Sequence, residues 1–246
     1  MDDHLVTLFR RSGPEIEDYN TLRYALEQAG AGDTLRVLAV TSPVVGDGKT
    51  TTAVNLAGVL AHRHDARVLL IDGDLRRPSV AGVLGLASNT GQPGFIDAIQ
   101  DWHLTLDQVV THLPDVNLWV LMPGTFSDDP FELLRTPRVG ALLQDARRDY
   151  DFVVMDTPPM LLVPDTRILQ SWVDGVVLMV SAHRTPRRLV SEALNMIGPS
   201  KLVGLVFNRD DQPLPSHYGY YGYYGATENG ASRRDAAKMG ARWPTR

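Results

Sequence analysis

Short, uninterrupted apolar runs recur along the chain and alternate with longer stretches in which apolar residues follow helical spacing. Because each run is continuous rather than alternating, it predicts a strand buried on both faces, as in a parallel sheet covered by helices. The runs that predict strands are 35–41, 67–72, 117–121, 152–156, 175–181 and 202–208. The stretches that predict helices are 49–62, 81–86, 95–100, 130–148, 164–172 and 187–197. This alternation predicts an α/β fold with one doubly wound, mostly parallel sheet.

The two ends of the chain depart from this alternation. Pro14 and the acids that follow it predict the start of a helix that continues to about Ala29. From Asp210 onward the strand–helix pattern stops, and a stretch rich in Gly, Pro and Tyr precedes a basic one. We therefore predict three parts: a loose N-terminal tail over 1–13, the α/β domain over 14–209, and a flexible C-terminal tail over 210–246.

Composition narrows the class of protein. The chain has 246 residues, of which 43% are hydrophobic, enough to bury the core of one α/β domain. It contains no cysteine, which excludes disulfides and cysteine-ligated metal sites. A net charge of -5 argues against nucleic acid as a partner. No apolar run is long enough to span a bilayer, so a role at a membrane would require a partner.

The first candidate site is the loop between the first predicted strand and the helix after it. Gly46 and Gly48 permit positive φ angles and close approach of the backbone to a phosphate, and the helix N-terminus attracts anions. Lys49 would reach the β and γ phosphates, and Thr50 would ligate magnesium. The loop is a partial Walker A motif, since Pro43 stands where the first glycine is expected. We predict a P-loop that binds ATP and Mg²⁺ through Val45, Gly46, Asp47, Gly48, Lys49, Thr50 and Thr51.

Two further motifs place acids at the ends of predicted strands. Asp72 and Asp74 are separated by one glycine, so in extended backbone both side chains would point to the same side. Two carboxylates placed near a phosphate would suit a magnesium ion or a general base. Arg76 and Arg77 would neutralise phosphoryl charge or anchor the loop. The alternative interpretation is a polar strand end with a helix cap. Asp156 ends another apolar run in the form of a Walker B motif, which delivers an acid to the magnesium shell.

Together the segments GDGKTT, LLIDGDLRRP and VVMDTPP resemble the Walker A, A′ and B motifs of the bacterial tyrosine kinases (BY-kinases) of capsule and exopolysaccharide synthesis. The resemblance covers about residues 15 to 210. It implies a kinase domain over 14–209 with Lys49, Asp72, Asp74 and Asp156 as catalytic residues and Thr50, Asp74 and Asp156 as metal ligands. Asp72 is the candidate base, although the roles of Asp72 and Asp74 could be exchanged. Asn208 and Arg209 would contact adenine, unless Asn208 only caps a turn.

The resemblance also gives the C-terminal tail a function. Five of the eight tyrosines lie between residues 218 and 224 and are interleaved with glycine. Family members carry such a cluster and autophosphorylate it in trans, whereas composition alone would favour a low-complexity tail. The expected autophosphorylation sites are Tyr218, Tyr220, Tyr221, Tyr223 and Tyr224.

Partners are likewise implied by the resemblance. The family's first helix carries an E-x-x-R-x-x-R pattern that supports ring-shaped oligomers. Glu17 and Arg23 occupy its outer positions here, but Asn20 replaces the middle arginine, so the ring is expected to be weaker or differently made. A membrane-anchored activator or polysaccharide copolymerase is also implied, as are other protein substrates. The expected location is the cytoplasm, at the inner face of the membrane through that partner.

Two other functions remain open. One is a regulatory ATPase of the deviant Walker family, and the other is a non-catalytic, nucleotide-sensing scaffold of a polysaccharide export complex. Deviant Walker ATPases carry a second lysine at the position that Val44 occupies, so its absence argues against the first. All the catalytic positions are filled, which argues against the second.

Overall fold

The predicted apolar runs form six of the seven strands of one sheet. The computed structural model describes residues 4–10, 12–29, 35–63, 66–86 and 91–210. The chain divides into two units, 1–209 and 210–246, and the sheet belongs to the first. The strands are β1 (Val37–Thr41), β2 (Val68–Asp72), β3 (Val110–Leu113), β4 (Leu118–Leu121), β5 (Phe152–Asp156), β6 (Gly175–Ser181) and β7 (Leu202–Asn208). The helices are α1 (Val6–Phe9), α2 (Pro14–Ala29), α3 (Lys49–Ala61), α4 (Val80–Leu84), α5 (Phe95–Gln100), α6 (Leu106–Val109), α7 (Pro130–Leu134), α8 (Pro137–Asp149), α9 (Asp165–Trp172) and α10 (Arg187–Met196).

The strands run in the order β3-β4-β2-β5-β1-β6-β7. All neighbouring pairs are parallel except β3 and β4, which are antiparallel. This arrangement confirms the predicted α/β class with a mostly parallel sheet. Because β1, β5 and β2 are adjacent and parallel, the loops after their carboxyl ends meet at one edge of the sheet.

Alternate residues of the central strands enter two different apolar cores, one on each face of the sheet. Leu69 and Val153 belong to one core, whereas Leu70 and Val154 belong to the other. All four side chains are fully buried. The strands are therefore covered on both faces, which is why their sequences are continuously apolar.

The structure corrects the helix predicted over 130–148. It is two helices, α7 and α8, separated at Arg135 and Thr136. Thr136 is extended, with ψ 143°, because the ring of Pro137 disfavours the helical conformation of the residue before it. Helices α1 and α6 and strand β3 are additional elements that the sequence patterns did not predict.

Residues 6–9, within the loose tail predicted over 1–13, form α1, which packs on α3. Leu5 and Thr7 are fully buried. The Thr7 backbone N–H donates to Asn55 Oδ1 at 3.1 Å, and Thr7 Oγ1 donates to the Asn55 carbonyl at 2.8 Å. A Cβ at Gly58 would overlap Thr7 Oγ1, so glycine there permits the close approach of α1. The predicted C-terminal tail with its tyrosine cluster lies outside the described residues, apart from Asp210.

Candidate active site

The loops after β1, β2 and β5 enclose a cavity of about 670 Å³ together with the residue that follows β7. Six of the predicted nucleotide-binding loop residues line it: Val45, Gly46, Gly48, Lys49, Thr50 and Thr51. Asp74, Arg76, Arg77 and Arg209 also line it, so the structure brings these sequence-predicted residues together. The volume falls in the range of small-molecule sites.

The loop between β1 and α3 has the backbone that a phosphate cradle requires. Gly46 and Gly48 adopt φ angles of 88° and 89°, a region that residues with a Cβ rarely enter. A Cβ at Gly48 would also overlap Asn208 Nδ2. Gly48 leads directly into α3, whose 13 residues present an N-terminus with partial positive charge to the cavity.

Lys49, the first residue of α3, lies between the side chains of Asp74 and Asp156. Lys49 Nζ is 3.3 Å from Asp74 Oδ2 and 3.6 Å from Asp156 Oδ1. Thr50 Oγ1 donates to Asp156 Oδ2 at 2.6 Å and lies 2.9 Å from Ser79 Oγ. Asp156 Oδ1 is buried and has no hydrogen-bond partner. The site thus holds more negative charge than its nearest cation compensates.

Burial dominates the electrostatics of the two strand-end acids. Desolvation raises the pKa of Asp156 to about 6, against the opposing effects of Lys49 and the Thr50 hydroxyl. Desolvation, together with the charge of Asp156, raises the pKa of Asp72 to about 7. A cation bound between these acids would lower both pKa values by favouring the ionised forms.

Asp72 and Asp74 do not both face the cavity, contrary to the expectation from their spacing. Asp72 is fully buried outside the cavity lining, and its Oδ2 accepts the backbone N–H groups of Ser79 at 2.9 Å and Val80 at 3.0 Å. The extended alternation stops because β2 ends at Asp72: the Gly73 N–H makes the last ladder bond to β5, to the Asp156 carbonyl at 2.7 Å, and beyond it Asp74 Oδ1 accepts the Arg77 N–H at 3.0 Å. Asp72 therefore fixes the loop that leads to α4, and Asp74 is the one of the two acids that lines the cavity.

The two arginines after Asp74 are placed differently from each other. The Arg76 guanidinium binds Asp165 with two hydrogen bonds, Nε to Oδ2 at 2.7 Å and Nη2 to Oδ1 at 3.1 Å. This geometry fits the predicted anchoring of the loop, and the fully buried Asp165 is a site residue that the sequence reasoning missed. Its signal was its place after the DTPP segment, at the start of α9. The exposed side chain of Arg77 lines the cavity without such a bidentate anchor.

Asn208 and Asp47 connect the loop between β1 and α3 to β7 and to the loop after β6. Asn208 Nδ2 donates to the Asp47 carbonyl at 3.0 Å, and Asp47 Oδ1 accepts from Thr185 Oγ1 at 2.6 Å. Neither Asp47 nor Asn208 lines the cavity, whereas Arg209 does. Thr185, after β6, had no sequence signal, because its partner is 138 residues away.

Glu17 and Arg23, the predicted oligomer contacts, lie outside the cavity lining. Glu17 and Arg23 are on α2, where Arg23 Nη1 donates to the Val59 carbonyl at 3.2 Å. The five cluster tyrosines are outside the described residues. None of the described helices is both long and apolar enough to cross a membrane.

Metal binding can be judged from the donor atoms. Over the described ranges, no group of three or more His, Asp or Glu side chains could hold a metal ion. Magnesium does not require such a cage, because it is usually bound by one or two protein oxygens, waters and substrate phosphates. The Thr50 hydroxyl and Asp156, whose buried Oδ1 accepts no hydrogen bond, suit that mode of binding.

Comparison with known proteins gives matches over most of the chain. A family model described as an AAA domain matches residues 35–198. Tyrosine-protein kinase YwqD of Bacillus subtilis (strain 168) is 33% identical over 223 residues, which cover 90% of this chain and 92% of that protein. The succinoglycan biosynthesis transport protein ExoP of Rhizobium meliloti (strain 1021) is 30% identical over 237 residues, which cover 88% of this chain and 29% of that protein.

Solved structures agree with these relatives. The chimerical protein CapA2B2 matches with a TM-score of 0.78 and 25% identity, covering 86% of this chain and 92% of that one. The kinase domain of the Escherichia coli tyrosine kinase ETK matches with a TM-score of 0.76 and 25% identity, covering 85% and 83%. The resemblance inferred from the three motifs is thereby confirmed. The chain belongs to the AAA domain family and, within it, to the bacterial tyrosine kinases (BY-kinases).

Proposed function

We propose that this tyrosine kinase transfers the γ-phosphoryl group of ATP to the tyrosine cluster of a neighbouring copy of the same chain. The observation that carries the proposal is the position of Lys49 between Asp74 and Asp156, beside a positive-φ loop and in a cavity large enough for a nucleotide. The acceptors would be Tyr218, Tyr220, Tyr221, Tyr223 and Tyr224.

The cradle would hold the phosphates through its own backbone. Amides of the loop and the N-terminus of α3 stabilise negative charge, and Lys49 would exchange its contacts with Asp74 and Asp156 for the β and γ phosphates. Thr50 and Asp156, with Asp74 directly or through water, would hold magnesium, which neutralises charge on the phosphates when bound. Arg209 lines the cavity and would contact the base, while Asn208 holds the loop through Asp47.

We assign the acceptor-orienting role to Asp74 rather than Asp72. Asp74 lines the cavity, whereas Asp72 is buried and its Oδ2 accepts two backbone N–H groups. The tyrosine oxygen would form a bond to the γ phosphorus while the bond to the β–γ bridging oxygen breaks and ADP leaves. Because free tyrosine has a pKa of about 10, Asp74 would mainly orient the hydroxyl and receive its proton late. Asp72 would then be a positioning residue.

The cellular role we propose is control of capsular or exopolysaccharide polymerisation and export. The supporting observation is similarity to ExoP, a protein named for succinoglycan biosynthesis transport, of which this chain matches 29%. A membrane-anchored activator, separate from this sequence or fused to it, would hold the kinase at the inner face of the membrane. Further protein substrates fit the same proposal.

A homo-oligomer would bring each tail to a neighbouring cavity. Exposed Glu17 on α2 is available for such a contact, whereas Arg23 already donates within its own chain. Phosphates on the tail carry roughly −1.5 to −2 charges each at neutral pH, and their repulsion would loosen the oligomer. A phosphomimetic tail that left the oligomer mass unchanged, by light scattering, would argue against this cycle.

Incubation of the full chain with γ-labelled ATP and magnesium tests the proposal. Label on residues 218–224, absent from Lys49→Met and from a chain with all five cluster tyrosines changed to phenylalanine, supports the kinase. Released phosphate without labelled protein would indicate a regulatory ATPase. Nucleotide binding with neither product would indicate a non-catalytic scaffold.

A further inference from the structure

Five apolar residues belong to the cavity lining, together with the charged residues Lys49 and Asp74. We call this surface the apolar wall; it consists of Val83, Pro158, Pro159, Leu162 and Val163. Leu162, between β5 and α9, is 58% exposed. Phosphates are bound by N–H groups and cations, so this surface suits a non-phosphate part of a substrate.

The apolar wall is held rigidly against the phosphate cradle. The Met160 N–H donates to the Ser42 carbonyl at 2.8 Å, and the Leu161 N–H donates to the Pro43 carbonyl at 3.4 Å. On the other side of this segment, the Pro158 carbonyl accepts from Thr41 Oγ1 at 2.9 Å. Met160 is buried beneath the segment. A group resting on the wall would therefore keep a fixed position relative to Lys49.

The strand order places the apolar wall on one side of the cradle. β5 and β2 lie on one side of β1, and β6 and β7 lie on the other. The wall residues follow β2 and β5, as does Asp74, whereas Arg209 follows β7. A base contacting Arg209 would thus leave the wall free on the side of β1 where Asp74 lines the cavity.

We propose that the apolar wall is the binding surface for the aromatic ring of the acceptor tyrosine. This inference rests on the proposed function and adds the residues that would select tyrosine over serine or threonine. An aromatic side chain buries about 150–250 Å² and has a polar group only at its tip, so a ring on the wall would direct its hydroxyl towards Asp74. Serine and threonine would leave most of the wall in contact with water.

Competition between peptides tests ring recognition separately from transfer. The acceptor is a synthetic peptide of residues 214–226, and two competitors carry phenylalanine or alanine at every tyrosine position. With the wild-type full chain, the phenylalanine peptide should inhibit transfer competitively, and the alanine peptide should inhibit at least five-fold more weakly. In Leu162→Ser the half-saturating concentration of the acceptor should rise about ten-fold, an effect of the size expected for lost apolar contact.

Matched variants keep the outcome interpretable. Leu162→Met should restore acceptor binding to within about two-fold, and Leu205→Ser, at an exposed leucine of β7 outside the cavity lining, should leave it unchanged. The half-saturating ATP concentration should stay constant in all three variants. Equal competition by the two peptides, or a rise for ATP instead of the acceptor in Leu162→Ser, would overturn the proposal. Absence of any transfer by the wild type would instead overturn the proposed function.

Discussion

Acidic side chains lie at both the amino and the carboxyl ends of the parallel strands. Their negative charge is compensated differently at the two ends. At the amino end, Asp174 Oδ2 accepts the N–H groups of Arg36 at 3.0 Å and Val37 at 2.8 Å, while Oδ1 accepts from Arg147 at 2.8 Å. At the carboxyl end, Asp156 is fully buried, its Oδ1 accepts no hydrogen bond, and the nearby Lys49 is shared with Asp74.

The pKa values follow this contrast. Burial acts to raise the pKa of Asp174, but the Arg147 and backbone hydrogen bonds outweigh it and leave the pKa below its ordinary value. Burial raises the pKa of Asp156 to about 6, because its donors do not offset desolvation. Compensated acids hold the fold together, whereas under-compensated acids mark the place where a charged ligand is expected.

The largest effect is expected from Lys49→Met, which removes the cation from the carboxyl end. Phosphate incorporation should fall about 100- to 1000-fold, because Lys49 is the charge proposed to stabilise the transferring phosphoryl group. Arg147→Met is the matched control at the amino end. Its labelling rate per folded molecule, measured well below its unfolding temperature, should stay within about two-fold of the wild type. A Lys49→Met chain that kept a tenth of the wild-type rate would contradict this assignment.

A second comparison uses stability instead of activity. Asp174→Ala should lower the free energy of unfolding by about 2–3 kcal/mol, because two backbone N–H groups and Arg147 lose their acceptor. Asp74→Ala should change it by about 1 kcal/mol or less, because the loss of hydrogen bonds is offset by relief of the excess negative charge. Urea denaturation of the nucleotide-free chain measures both. Equal destabilisation by the two variants would remove the distinction between the ends.

The smallest effect, taken per pH unit, concerns the pH dependence of stability. The pKa of Asp72 is raised from 3.8 to about 7, so between about pH 4 and pH 7 the folded state binds a proton that the unfolded state has lost. The free energy of unfolding should therefore fall as pH rises through this window, by at most about 1.4 kcal/mol per pH unit for this proton. Asp72→Asn keeps an oxygen acceptor for Ser79 and Val80 and should reduce the fall to the part that Asp156, with its pKa of about 6, contributes below about pH 6. Asp174 works in the opposite direction, since its stabilisation is lost as pH drops towards its lowered pKa.

Denaturation curves recorded at several pH values test this prediction in magnesium-free buffer. Asp174→Asn provides the matched control, because it should remove stability mainly above about pH 4 and leave the slope between pH 5 and 7 in place. An unchanged slope in Asp72→Asn would show that another group carries the proton.

The parts of the fold that the sequence predicted are those with locally encoded patterns. β5, β6 and β7 begin and end where predicted. A strand buried on both faces has a continuously apolar sequence, which marks both of its ends. β3 was missed because its four residues, of which two are polar, gain their strand conformation from antiparallel pairing with β4. α1 was missed because its burial depends on Thr7 and Asn55, which are 48 residues apart.

In the candidate site, too, only the parts encoded by neighbouring residues could be predicted from the sequence. The cradle and Asp156 were predictable because strand, loop and helix are contiguous in the sequence. The separation of Asp72 from Asp74 was not, because it depends on where β2 ends against β5 and on the N–H groups of Ser79 and Val80 that bind Asp72. The anchoring of Arg76 by Asp165, 89 residues later, and the apolar wall likewise arise only when the loops after β2 and β5 meet.

Transfer between two copies of the chain is tested most directly by a mixing experiment. The donor chain carries phenylalanine at all five cluster positions and an intact cavity, and the acceptor chain carries Lys49→Met and an intact cluster. With γ-labelled ATP and magnesium, label should appear on the acceptor's residues 218–224 only when both chains are present, and its rate should rise with acceptor concentration. An unlabelled acceptor, beside a wild-type chain that labels itself at a rate independent of its concentration, would contradict transfer between copies.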